Sequence, residues 1–130
     1  MLTYAEQNGA RYFQDGRQGD AMELLSANGM NLVRLRLYND PGKYSYKGYS
    51  LEPGIQDEQD ILRLAKRAKA AGMQLLLTFH YSDYWTNGED QFLPHAWENM
   101  DAAEMAKALY DFTYQFMEKM KAQGGKAERV

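Results

Sequence analysis

The chain has no cysteine, which excludes a disulfide framework and any thiolate-bound metal, and leaves the redox compartment open. No apolar run approaches the ~20 residues that a helix needs to span a bilayer. Basic residues are scattered and the net charge is −3, so there is no basic stripe for nucleic acid and no polybasic anchor for a membrane surface. With two histidines and neither a His-x-x-x-His nor an Asp-x-Asp-x-Asp-Gly pattern, no metal centre or cofactor is expected. Gly-x-Gly-x-x-Gly, a phosphate-binding loop and a Gly-x-Ser-x-Gly elbow are also missing. The opening Met1-Leu2-Thr3-Tyr4-Ala5-Glu6 lacks the charged and apolar regions of a signal peptide, which a trimmed secreted protein would lack as well, so the sequence assigns no compartment.

What is present is an ordinary globular composition, 45% hydrophobic and 25% charged over 130 residues. That is one domain, or part of one. A loose repeat organises it. Three times a helix-like segment ends in small residues and Gly: at Ser26-Ala27-Asn28-Gly29, at Ala70-Ala71-Gly72, and at Gln123-Gly124-Gly125. The first two are followed by the strand-like runs Met30–Leu37 and Met73–Phe79; after the third, the chain reaches Val130 as another strand could begin. Helix, Gly cap and strand in series read as βα units around a parallel sheet. The spacing predicts helices over about 20–27, 56–71 and 101–123. The second turns Ile61, Leu62, Leu64, Ala65 and Ala68 inward; the third carries a stripe of Met105, Leu109, Phe112, Phe116 and Met120, expected to be core.

Two long loops follow the strands, 39–54 with three tyrosines and 81–99 with Trp85 and Trp97. Long loops at the carboxyl ends of parallel strands are where such folds place ligands. In Val33-Arg34-Leu35-Arg36-Leu37, alternation puts both arginines on one face. Two Arg on a buried strand need partners. Arg36, nearer the strand end, is expected to orient a catalytic carboxylate, with Arg34 one layer deeper; an internal ion-pair network is the alternative. The run Met73–Trp85 ends in His80-Tyr81-Ser82-Asp83-Tyr84-Trp85. His80 suits a hydrogen bond to a sugar hydroxyl or a carboxylate, and Trp85 offers a flat face for a pyranose ring. A satisfied strand-end histidine and a rim plug are the alternatives. Asp83, Tyr81 and Tyr38 join Trp85 as expected substrate contacts. His95 and Trp97 are expected to pack their loop against the following helix. No strand-end pair of carboxylates is visible, because Asp83, Glu89 and Asp90 share one loop.

The pieces Glu6-Gln7-Asn8-Gly9, Asn28-Gly29-Met30-Asn31-Leu32-Val33-Arg34-Leu35-Arg36-Leu37-Tyr38-Asn39-Asp40-Pro41, Ala65–Met73 and Phe79-His80-Tyr81-Ser82-Asp83-Tyr84-Trp85 run in order along the chain. In these it resembles the arabinogalactan endo-β-1,4-galactanases, glycoside hydrolase family 53. The resemblance implies a portion of a retaining (β/α)₈ TIM barrel, one partial domain over 1–130. It would run from just after strand one to just before strand four, with about three βα units. It implies β-galactan or arabinogalactan as the partner. The acid/base Glu would end strand four and the nucleophile Glu would lie near strand seven, both outside this chain, so the chain alone is expected to be inactive. Arg36 and His80 then correspond to active-centre support, and Trp85 to a sugar platform. Relatives that degrade polymers are typically exported. There are departures: the family commonly has Asp where this chain has Thr78, and Ala-Asp-Pro where it has Thr86-Asn87-Gly88; the loop from Tyr44 to Tyr49 is longer. Two other readings stand beside this one. They are a sugar-binding module without chemistry, and an oligomeric α/β scaffold whose strand edges meet across chains.

Overall fold

The computed structural model describes residues 2–130. A short helix α1 (Leu2–Gln7) leads into a hairpin, β1 (Tyr12–Gln14) and β2 (Arg17–Gly19), then α2 (Ala21–Ala27) and β3 (Leu32–Leu37). Next come α3 (Glu58–Ala70), β4 (Gln74–Phe79), a 3₁₀ turn (His95–Trp97) and α4 (Ala102–Ala122). β3 and β4 pair in parallel, in the register Arg34–Leu76, Arg36–Thr78 and Leu37–Phe79. The parallel α/β plan expected from the helix–Gly–strand repeat is therefore present. An isolated parallel bridge lies on the other edge of β4. Leu76 bridges Arg129, Leu77 N–H donates to the Arg129 carbonyl, and the Glu128 carboxylate accepts from Leu75 N–H.

Local chemistry sets the helix starts. Asp20 caps α2 by accepting from Met22 N–H and Glu23 N–H. Asp57 caps α3, and Asp101 with Glu104 forms a reciprocal capping box on α4. The hairpin and α1 have no counterpart in the repeat read from sequence. Asp15-Gly16 at the hairpin tip, both with positive φ (50° and 76°), is the turn chemistry that closes it.

The core lies between one face of the sheet and the helices. Leu35, Leu37, Leu75 and Leu77 pack against Ile61, Leu64, Ala65 and Ala68 of α3 and against Phe116 and Met120 of α4. The α4 stripe is only half used. Phe116 and Met120 are buried, Met105 and Phe112 are partly covered, and Leu109 stays 39% exposed. Helix α4 is tied to α3 toward its C-terminal end, by Lys119–Glu58 and by Gln123 Nε2 donating to the Leu62 carbonyl, so its first turns have fewer partners. Polar groups fix the other helices. Arg67 grips Glu6 with two hydrogen bonds of 2.8 Å and also reaches Asp20. Its hydrogen bond holds the Glu6 carboxyl below the usual range. Buried Asp60 accepts from Thr3 Oγ1, Gln56 N–H and Arg63.

Candidate functional site

Strand parity places Arg34, Arg36, Leu76, Thr78 and His80 on the face turned away from the core. Tyr38 and His80 continue the two rows past the strand ends, and their rings stack 4.6 Å apart. The rows read upward as Arg34 beside Leu76, Arg36 beside Thr78, and Tyr38 beside His80. Arg34 Nε donates diagonally to Thr78 Oγ1 at 2.8 Å.

Arg36, His80 and Trp85 form one cluster. The Arg36 guanidinium lies over the Trp85 ring, 4.8 Å from its centroid, and the His80 ring lies 6.2 Å from that of Trp85. A guanidinium on an indole face keeps its edge N–H groups free for hydrogen bonds. His80 Nδ1 is 3.2 Å from Thr86 Oγ1, while Nε2 is buried without a partner. Burial, and then the nearby charges of Arg36 and Arg34, push the His80 pKa below its ordinary value, so the ring is neutral at pH 7. The imidazole is thus neutral, near Thr86 at Nδ1, and enclosed at Nε2 with no hydrogen-bond partner. Trp85 is 40% exposed at the rim.

The other expected contacts lie elsewhere. Asp83 is fully buried, and its two oxygens accept from Asp40 N–H (2.9 Å) and His95 N–H (2.8 Å). It cross-links the loop after β3 to the loop after β4 and has no free face for sugar, which corrects the expectation from sequence. Desolvation raises its pKa, and the two backbone donors oppose that. Tyr81 is corrected too. Its parity is that of Phe79, so the ring stacks on Phe79 and Trp97 against α4, and its hydroxyl meets Thr113 Oγ1 at 2.9 Å. Tyr38 is on the open face but has no exposed surface, lying beneath His80; its hydroxyl has no partner. It supports His80 rather than offering a surface. Trp97 is buried against Phe112, as expected.

Two contributors were not read from sequence, Thr86 as the group that fixes the His80 ring and Asn39, whose Oδ1 is buried and unpaired. Neither carried a signal beyond its place in a strand-end loop. The tyrosine loop is more ordered than its composition suggests. Tyr46 and Tyr49 pair across a Lys47-Gly48 turn, Tyr46 packs on Phe92, and the Tyr49 hydroxyl donates to Asp90. At Gly42 (φ +80°) a Cβ would fall 2.4 Å from the Pro53 nitrogen, so the loop closes on itself only with glycine there.

A model of glycosyl hydrolase family 53 matches residues 1–130. Among curated relatives, an arabinogalactan endo-beta-1,4-galactanase from Cellvibrio japonicus is 44% identical over 109 residues, covering 83% of this chain and 27% of the relative. An endo-beta-1,4-galactanase from Bacillus subtilis is 35% identical over 120 residues, covering 92% of this chain and 28% of the relative. The chain therefore spans little more than a quarter of their length. Two solved structures superpose with a TM-score of 0.85 each. One is from a study of two fungal beta-1,4-galactanases, 29% identical, covering 99% of this chain and 36% of that one. The other is the GH53 catalytic domain of Ignisphaera aggregans, 32% identical, covering 97% and 35%. These likenesses identify the parallel α/β unit as a portion of a TIM barrel; its helices cover one face of β3 and β4 and leave the other open.

Proposed function

Because the chain belongs to glycosyl hydrolase family 53, we propose that it is a portion of a retaining endo-β-1,4-galactanase that supplies sugar-binding and supporting groups. The substrate is β-1,4-galactan or arabinogalactan. One observation carries this reading: Arg36, His80 and Trp85 meet on the open face at the carboxyl ends of two parallel strands. Trp85 offers the rim of the site an aromatic face for a galactose ring. Arg36, stacked on Trp85, keeps edge N–H groups for a catalytic carboxylate or a sugar hydroxyl, and the buried imidazole of His80 supports the cluster from below.

Retention requires a proton donor and a nucleophilic carboxylate about 5–5.5 Å apart. Among the described residues the loop carboxylates are poor candidates. Asp83 is committed to two backbone donors, and Asp90 accepts the Tyr49 hydroxyl. On this reading both catalytic carboxylates lie outside these residues, and the 130-residue chain by itself hydrolyses nothing. The pure chain, incubated with galactan, should release no oligosaccharides; clear turnover would overturn this. In calorimetry with galacto-oligosaccharides, Trp85→Ala should weaken any binding at least tenfold and leave the melting temperature nearly unchanged. Equal binding by that variant would remove Trp85 from the site.

A further inference from the structure

Asn-Gly occurs three times, at Asn8-Gly9, Asn28-Gly29 and Asn87-Gly88. With no Cβ on the glycine, its backbone nitrogen can reach the asparagine side-chain carbonyl, and a ring closed between them expels ammonia. All three pairs are exposed, so access to water does not distinguish them. Hydrogen bonding does. Gly9 N–H donates to the Glu6 carbonyl at 3.0 Å, and Gly29 N–H donates to the Ser26 carbonyl at 2.9 Å. Both attacking nitrogens are thereby occupied at helix ends. The leaving amides are held as well. Asn8 Nδ2 donates to the Tyr4 carbonyl, and Asn28 Nδ2 donates to Gln14 Oε1 and the Leu24 carbonyl.

Asn87-Gly88 differs at every one of these atoms. Among the described residues neither Gly88 N–H nor Asn87 Nδ2 has an acceptor. Asn87 Oδ1 instead accepts two backbone N–H groups, from Glu89 and Asp90, each at 2.8 Å. Negative charge develops on that oxygen as the ring closes, and fixed N–H donors aimed at it lower the barrier.

We propose that Asn87 is a site of spontaneous deamidation, made so by its turn rather than by the Asn-Gly pair alone. The Gly88 nitrogen gives its proton to solvent base and bonds to Asn87 Cγ. The Cγ–Nδ2 bond then breaks, and ammonia leaves with a proton taken from water. Water opens the cyclic imide at either carbonyl, which leaves an aspartyl or an isoaspartyl linkage at position 87. Water is the only co-reactant. Either product puts a carboxylate where a neutral amide stood, and the isoaspartyl form also adds a methylene to the backbone. The change falls in the turn where Asn87 N–H donates to the Asp90 carbonyl at 3.0 Å, next to Thr86, the neighbour of His80 Nδ1. The inference concerns the ageing of this rim loop and stands whatever the rim binds.

The test incubates the folded chain at mildly alkaline pH and follows each Asn-Gly peptide by mass spectrometry, with isoaspartyl-specific methylation marking the rearranged product. Asp15-Gly16 has no amide to lose, so the mass reading leaves it out. Asn87 should convert roughly tenfold faster than Asn8 or Asn28, because only its oxygen has donors and only its glycine nitrogen is free. In urea that unfolds the chain, the three rates should come within threefold of one another, since the fold alone separates them. Folded rates within twofold of one another would overturn the assignment. So would the same preference for Asn87 in the unfolded chain, which would trace it to neighbouring sequence. Gly88→Ala should slow conversion at Asn87 at least tenfold and leave Asn8 and Asn28 unchanged; an unchanged rate at Asn87 would overturn attack by that nitrogen. The converted chain, separated by its added charge, should lose amide protection at Asn87, Glu89 and Asp90, and full protection at all three would overturn the opening of the turn.

Discussion

The two faces of the β3–β4 sheet are built from alternate residues of the same two six-residue strands and differ in almost every physical respect. The helix-covered face, Leu35, Leu37, Leu75 and Leu77, is apolar and nearly sealed, none of the four more than 5% exposed. The open face carries two guanidiniums, an imidazole and a hydroxyl, with polar atoms left unpaired. The first is a completed core, and its residues are interchangeable with others of similar volume. The second is an array of groups awaiting partners, and its residues are chosen for charge and direction. The contrast teaches that one strand can hold a domain together and present its chemistry at once, because side chains alternate.

The largest effect should fall on the sealed face. Leu77→Ala is expected to cost ~2–5 kcal/mol of stability, read by denaturant unfolding, whereas Thr78→Ala one residue away should cost well under half as much. Similar losses at both would erase the distinction between the faces. Next comes the link between the rim loops. Asp83→Ala leaves two inward backbone N–H groups without acceptors and should cost ~2 kcal/mol or more; hydrogen exchange should speed up at Asp40 and His95 specifically. Protection unchanged at both amides would show that the loops are held by other contacts.

A smaller effect sharpens the electrostatic side of the comparison. The folded-state pKa of His80 is lowered, so the folded chain binds fewer protons there than the unfolded chain. Stability from this group is fully present above the unfolded value of about 6.5 and is lost as pH falls from there through the folded value. Unfolding midpoints should therefore drop between pH 7 and pH 5, and His80→Gln should flatten that part of the profile. The carboxylates Glu6 and Asp20, lowered by Arg67, contribute their own loss only at lower pH. A slope between pH 7 and pH 5 unaltered in His80→Gln would reassign it. The smallest effect belongs to the surface of α4. Lys107→Ala breaks an exposed pair with Asp111 and should change stability by no more than ~0.5 kcal/mol, within the error of a thermal melt.

Much of this is legible in the sequence. The helix–Gly–strand repeat gives the parallel plan, since each Gly cap and each apolar run is a local signal. The parity of Arg34, Arg36, Thr78 and His80 is local too. The hairpin was written in Asp15-Gly16 but its strands are short and mostly exposed, so no apolar alternation announced them. The α4 stripe was overread. Spacing states which face is apolar, while the coverage of Leu109 depends on what packs there.

By itself the sequence determined the two parallel strands, the Gly-capped helix ends and which side of the sheet carries charge, because each of these follows from neighbours a few residues apart, and it determined the family through motifs that run in order along the chain. Tertiary structure alone decided the partners of the strand-end groups. Asp83 turns inward because its two backbone donors come from Asp40 and His95, 43 and 12 residues away. Tyr81 keeps the parity of Phe79, which its position already gives, and tertiary structure adds the Thr113 hydroxyl on α4, 32 residues on, that fixes it there. A carboxylate in a loop has no fixed direction until distant backbone supplies its partners, and only the folded chain brings those together.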